Sequence, residues 1–165
     1  MVPKILIIGA TGKLGIKLIN YCFRNEIKIN TITCYKNSNK IRQLQKKNDI
    51  KNTFSLIESS EKLRFKKFLK LNKFNLIYFL DYGSFSLEYL DIILKNNSSA
   101  NIAIANKEMI IAGGKILIKM IHDSGNSLIP LDSEHFSLKN TLNDIKNIKK
   151  IFITASGGPL FFTKY

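Results

Sequence analysis

Two hydrophobic patterns take turns along this chain. Short unbroken apolar runs occupy 4–8, 29–34, 76–80, 101–105 and 128–131, with a more polar one at 53–57. Runs of that length, closed by glycine or polar residues, read as strands buried on both faces, where inside–outside alternation disappears. Between them lie segments with helical spacing. The first spans 13–24 and carries Leu14, Leu18, Ile19, Cys22 and Phe23 as one apolar stripe, which marks the core-facing side of a helix. Further helices are expected at 40–47, at 61–70 (through Leu63, Phe65, Phe68 and Leu69), at 86–95, and at 107–124 with a break at Gly113-Gly114. A short helix near 136–142 and a last strand at 150–154 complete the series. Strands alternating with helices predict an α/β fold with a parallel sheet and right-handed crossovers.

The first strand-to-helix turn reads Gly9-Ala10-Thr11-Gly12-Lys13-Leu14-Gly15. Glycine at 9 permits a tight turn, glycine at 12 lets backbone approach a pyrophosphate, and glycine at 15 lets the helix pack closely on the strand. The helix N-terminus then presents unpaired N–H groups to the anion. Such a loop at the head of a βαβ unit predicts a Rossmann-like doubly wound parallel sheet that binds a dinucleotide. The end of the second strand bears on which one. NAD sites place a carboxylate there for the ribose hydroxyls, whereas this chain has Tyr35-Lys36-Asn37. A lysine at that point favours the 2′-phosphate of NADP, although it also reads as a solvated loop residue.

Composition narrows the function classes. The chain has 165 residues, 45% hydrophobic and 23% charged, which suits a globular domain with a sizeable core. No apolar run approaches the roughly 20 residues of a membrane span, and no membrane association is expected. The net charge of +14 raises nucleic acid as a partner. However, only Arg24, Arg42 and Arg64 are arginines among 26 basic residues, and arginine makes the bidentate contacts. The lysines are dispersed among asparagines, so nucleic acid is not the expected partner. The positive field still favours anionic small molecules. Cys22 and Cys34 match no metal spacing and read as buried thiols of a reducing compartment.

Past the strand at 128–131 comes Asp132-Ser133-Glu134-His135. On an extended backbone, residues i and i+2 share a side, so Asp132 and Glu134 would converge on a hard divalent ion such as Mg²⁺ or Mn²⁺. The competing reading is that Asp132 or Ser133 caps a helix starting near Phe136.

Four segments, in this order, resemble 1-deoxy-D-xylulose 5-phosphate reductoisomerase. They are the glycine loop at 9–15, Ala105-Asn106-Lys107-Glu108, Pro130-Leu131-Asp132-Ser133-Glu134-His135, and Thr154-Ala155-Ser156-Gly157-Gly158-Pro159. The likeness covers nearly the whole chain but only the N-terminal part of a typical member. It implies an NADPH-dependent, divalent-metal-dependent oxidoreductase of non-mevalonate isoprenoid biosynthesis, which converts 1-deoxy-D-xylulose 5-phosphate to 2-C-methyl-D-erythritol 4-phosphate. The implied cofactor contacts are Gly9, Thr11, Gly12, Lys13, Leu14, Lys36, Asn37, Asn106 and Glu108. Lys107 and Glu134 take catalytic roles, and Lys107, Ser133, Glu134 and Ser156 bind the sugar-phosphate substrate. Asp132 and Glu134 are two of three carboxylate metal ligands, while His135 orients or packs. Asn106 and Glu108 also admit a plain reading, as an N-cap and a first-turn acid.

The resemblance further implies a cytoplasmic enzyme (plastid in a eukaryote) that is a homodimer at full length. The expected division is a cofactor domain at 1–126 and the start of an α/β catalytic domain at 127–165. The family's third metal carboxylate, its substrate-phosphate residues and its flap correspond to sequence beyond Tyr165, so these 165 residues are expected to be an incomplete, inactive piece. Lys13 replaces a small polar residue of the family loop. Asp81, Tyr82 and Phe85 depart from its glycine-rich turn around Gly83. Two other readings are another Rossmann-type NADP-binding reductase, for which no Tyr-x-x-x-Lys pair follows the fourth strand, and a non-catalytic nucleotide-binding or basic binding module.

Overall fold

In a computed structural model, which describes residues 3–142 and 148–152, strands and helices alternate as the periodicity predicts. The order is β1 (Ile5–Ile8), α1 (Lys13–Arg24), β2 (Thr31–Cys34), α2 (Ser38–Lys47), β3 (Asn52–Ser55) and α3 (Ser59–Leu71). It continues with β4 (Leu76–Phe79), α4 (Leu87–Asn96), β5 (Asn101–Ile104), α5 (Lys107–Asp123), β6 (Ser127–Pro130) and α6 (Ser133–Thr141). All six strands are parallel in the order β3-β2-β1-β4-β5-β6. This is the doubly wound Rossmann-like arrangement, whose strand order reverses between β1 and β4.

β1 shows why its sequence lacks alternation. Leu6 and Ile8 enter one core with Phe65, Ile77, Phe79 and Ile93, while Ile5 and Ile7 enter the other with Ile19, Ile32 and Ile41. Helices cover both faces, so every β1 side chain is buried. Each such aliphatic residue contributes about 1.5–3 kcal/mol.

The N-terminal edge of the sheet is laced by asparagines. The side-chain oxygens of Asn75, Asn30 and Asn126 accept the backbone N–H of Lys4 (2.9 Å), Ile5 (2.8 Å) and Ala100 (2.8 Å). Asn97 does the same for Phe74 at 2.6 Å. Strand ends leave N–H groups that the ladder does not pair, and burial makes an unpaired one costly.

Several expected boundaries shift for local reasons. α2 begins at Ser38 rather than 40, because Asn37 caps it by accepting the Lys40 N–H at 3.2 Å. α5 kinks at Gly114 (φ 51°, ψ −144°), where the glycine pair predicted a break. α6 starts at Ser133, three residues before the expected Phe136. The expected strand at 150–154 does not form over residues 150–152, where Ile151 and Phe152 are exposed and bury against no face; residues 153 and 154 lie outside the described residues. The sheet runs past the expected division at 126/127, because β6 pairs with β5 along its length. The first compact unit closes at Asp132, and the second begins at Ser133.

Candidate nucleotide-binding site

Because the strands are parallel, the turns that follow them share one rim. There the glycine loop leaves β1 at the point of strand-order reversal, where open α/β sheets bind ligands. Gly9 has φ +85°, and a Cβ on it would come within 2.4 Å of the Asp81 nitrogen. Gly15 is equally constrained, since a Cβ would lie 2.5 Å from the Ala10 carbonyl oxygen. Gly12 differs. A Cβ there would meet its nearest atom at 3.5 Å, an ordinary contact. The fold itself therefore does not demand glycine at 12, whereas close approach of a ligand would. Gly12 is also the N-cap of α1 and offers no side-chain cap, and the first turn carries no acid. Its orphan N–H groups and the positive end of the helix suit an anion.

A cleft of about 370 Å³ opens beside the loop. Gly9 and Thr11 border it from β1, Lys36 and Asn37 from the end of β2, and Asp81, Phe85 and Ser86 from the turn after β4. The structure thus joins the glycine loop and the Lys36-Asn37 pair around one space. Gly12, Lys13 and Leu14 follow on the exposed start of α1. Lys62 and Glu88 add a cation and an anion to the wall and lie 3.9 Å apart, while Lys66 pairs with Glu88 at 3.2 Å.

Asp81 anchors the turn after β4. Its carboxylate accepts a hydrogen bond from the Ser86 hydroxyl and one from the Asn106 amide at 3.4 Å. Burial pushes this carboxyl above its ordinary range; the Ser86 and Asn106 hydrogen bonds oppose the rise and the nearby Glu108 charge adds to it. Asn106 is 3% exposed, and its amide also donates to the Gly83 carbonyl at 2.5 Å. Its side-chain oxygen accepts the Met109 N–H at 3.0 Å, the N-cap bond of α5. Both amide protons are used within the protein, so this side chain ties the start of α5 to the turn after β4. Lys107 and Glu108 are exposed in the first turn of α5.

Asp132 follows β6 on the same rim, half-buried. The extended backbone assumed for the acidic pair ends at Pro130, and Glu134 lies in the first turn of α6. The i, i+2 strand argument for their convergence is thereby lost, because the helix starts directly after Asp132. Ser133 donates to Glu134 at 3.0 Å, and His135 is exposed. No group of three or more His, Cys, Asp or Glu suited to a metal occurs among the described residues. Ser156 lies outside the described residues.

Sequence reasoning missed Tyr35, Lys62, Ser86 and Glu88 as cleft residues and noted Asp81 and Phe85 only as departures from a pattern. No periodicity signals them, because residues from the ends of β2, β4 and two helices meet only through the strand order.

A family model for the 1-deoxy-D-xylulose 5-phosphate reductoisomerase C-terminal domain matches residues 128–165. A curated 1-deoxy-D-xylulose 5-phosphate reductoisomerase from Pelagibacter ubique is 35% identical over 94% of this chain and 45% of its own length. The chain matches the N-terminal portion of the 1-deoxy-D-xylulose 5-phosphate reductoisomerases. It spans about half the length of the curated relatives of that name. The fold agrees with a solved reductoisomerase from Zymomonas mobilis in complex with NADPH, at a TM-score of 0.70 and 18% identity over 98% of this chain and 48% of that one. A second reductoisomerase structure, in complex with NADPH, fosmidomycin and magnesium, aligns at a TM-score of 0.65 and 19% identity over 81% of this chain and 37% of that one.

Proposed function

We propose that the chain supplies the NADPH-binding part of a 1-deoxy-D-xylulose 5-phosphate reductoisomerase, with the start of its catalytic domain. The carrying observation is the uncapped α1 N-terminus at Gly12, next in the chain to Thr11 on the wall of a cleft that Lys36 also borders, with no carboxylate at the end of β2. These residues fit NADPH. The α1 N–H groups and the loop from Gly9 through Leu14 would hold the pyrophosphate, and Lys36 and Asn37 the 2′-phosphate end. Glu108 would sit nearer the nicotinamide, and Asn106 would act by tying the start of α5 to the turn after β4. Bound NADPH supplies the hydride that reduces the rearranged carbon skeleton.

Lys107 would offset negative charge developing on substrate oxygen, with Ser133 and Ser156 as further substrate contacts. Asp132 and Glu134 would contribute two carboxylates to a Mg²⁺ or Mn²⁺ site. Among the described residues these two are fewer than a closed site needs. A cytoplasmic location and homodimeric assembly of the whole enzyme belong to the same reading, with the cofactor part closing after β6 rather than at 126/127. No helix among the described residues is long and apolar enough to cross a membrane.

Titration by NADPH fluorescence tests the cofactor assignment. NADPH should bind at least about tenfold more tightly than NADH, as expected for a lysine on the 2′-phosphate. Lys36→Ala should erase that difference. Equal affinity of the native chain for both cofactors would remove the assignment.

A further inference from the structure

Tyr35 and Phe85 stack with ring centroids 5.4 Å apart and planes 15° from parallel. Tyr35 follows β2 and Phe85 lies in the turn after β4. With β1 between those strands, the pair bridges two inter-strand spacings, roughly 10 Å. It therefore arches over the end of β1, where the glycine loop begins. Both rings line the cleft, yet Tyr35 stays 45% and Phe85 59% exposed. Exposed aromatics held parallel beside an open cleft are a poor use of apolar surface unless something flat covers them. Thr33, also on the cleft wall, buries a hydroxyl that has no protein partner among the described residues.

We propose that the Tyr35–Phe85 pair is a stacking platform for the adenine ring of the dinucleotide. This rests on the NADPH reading and extends it to residues that the family resemblance does not supply. Rings of this kind bind any purine face, so the platform adds affinity without choosing between NADPH and NADH. That choice rests with Lys36 nearby. The two effects are separable by experiment.

The test is titration of the whole chain with NADPH, NADH and reduced nicotinamide mononucleotide, which lacks the adenosine half. The chain has no tryptophan, so nicotinamide emission is read without an indole background. Phe85→Ala and Tyr35→Ala should each weaken NADPH and NADH alike by about tenfold and leave the mononucleotide unchanged. Phe85→Leu, which keeps apolar bulk but loses the π face, should weaken both dinucleotides and supplies the answer if the alanine variant unfolds by circular dichroism. Phe85→Tyr should restore affinity. Folded Phe85→Leu and Tyr35→Ala variants that bind NADPH within about twofold of the native chain would overturn the platform while leaving the cofactor site standing. Failure of the native chain to bind either dinucleotide would overturn both.

Discussion

Gly9 and Asp81 are in such close approach that the backbone of one fills the space a side chain on the other would need. A Cβ on Gly9 would lie 2.4 Å from the Asp81 nitrogen and 2.7 Å from the Leu80 carbonyl carbon. Neither contact can relax by moving a flexible side chain. Gly9→Ala should therefore lower stability by several kcal/mol, combining backbone clash with a left-handed φ. Gly12→Ala is the contrast. Its backbone (φ −75°, ψ 170°) suits any residue, so stability to urea should fall by only about 1 kcal/mol, the loss of glycine at an N-cap. NADPH affinity should nevertheless fall by about tenfold or more as the methyl group intrudes on the pyrophosphate. A Gly12→Ala protein that binds NADPH normally would refute the phosphate role of the loop.

The half-buried Asp81 carboxyl makes stability depend on pH. Its folded value lies above the ordinary 3.8, with burial the leading cause. The folded state thus holds this proton more tightly than the unfolded chain does. The associated stability is present below 3.8 and lost as pH rises through the raised folded value. Asp81→Asn keeps a neutral group that can still bond Ser86 and Asn106. Relative to the native protein, this variant should gain stability between about pH 3 and pH 7. Urea midpoints at the two ends of that range read the gap; a constant gap would disprove the assignment.

The asparagines at the N-terminal edge should matter unequally. Asn126 is buried, accepts the Ala100 N–H and donates to the Asn97 carbonyl and the Ser124 hydroxyl, each at 2.8 Å. Asn126→Ala strands buried backbone groups and should cost about 1–3 kcal/mol. Asn25, whose amide reaches the Tyr21 carbonyl from an exposed position, should tolerate alanine within about 0.5 kcal/mol. Chemical denaturation of the two variants side by side checks the contrast.

Cofactor binding and turnover should separate in a polypeptide of these 165 residues. It should bind NADPH yet show no steady NADPH oxidation with 1-deoxy-D-xylulose 5-phosphate and Mn²⁺, since it spans 45% of the Pelagibacter relative. Asp132→Ala should leave NADPH affinity unchanged. Sustained oxidation at 340 nm would overturn this expectation.

Much of the framework was legible in local spacing. The alternation of strand and helix, the glycine loop, the break at Gly113-Gly114 and the role of position 9 all follow from short-range sterics and burial. The asparagines were not. Their abundance read as compositional bias, whereas Asn30, Asn75, Asn97 and Asn126 each satisfy a backbone N–H next to a strand. Those partners are 23 to 71 residues away in the chain, beyond the reach of any periodicity. The helix expected near 136–142 starts three residues early as α6, directly after Asp132, and that removes the extended geometry on which the acidic-pair argument stood.

The sequence by itself determined the α/β class, the position of the glycine loop and the absence of a carboxylate after β2, because each depends on residues within one turn or strand of each other. Only the tertiary structure decided that Tyr35 meets Phe85 and that Asp81 takes hydrogen bonds from Ser86 and Asn106. Strand order sets which turns become neighbours on the rim, and that order is a property of the packed sheet rather than of any single segment.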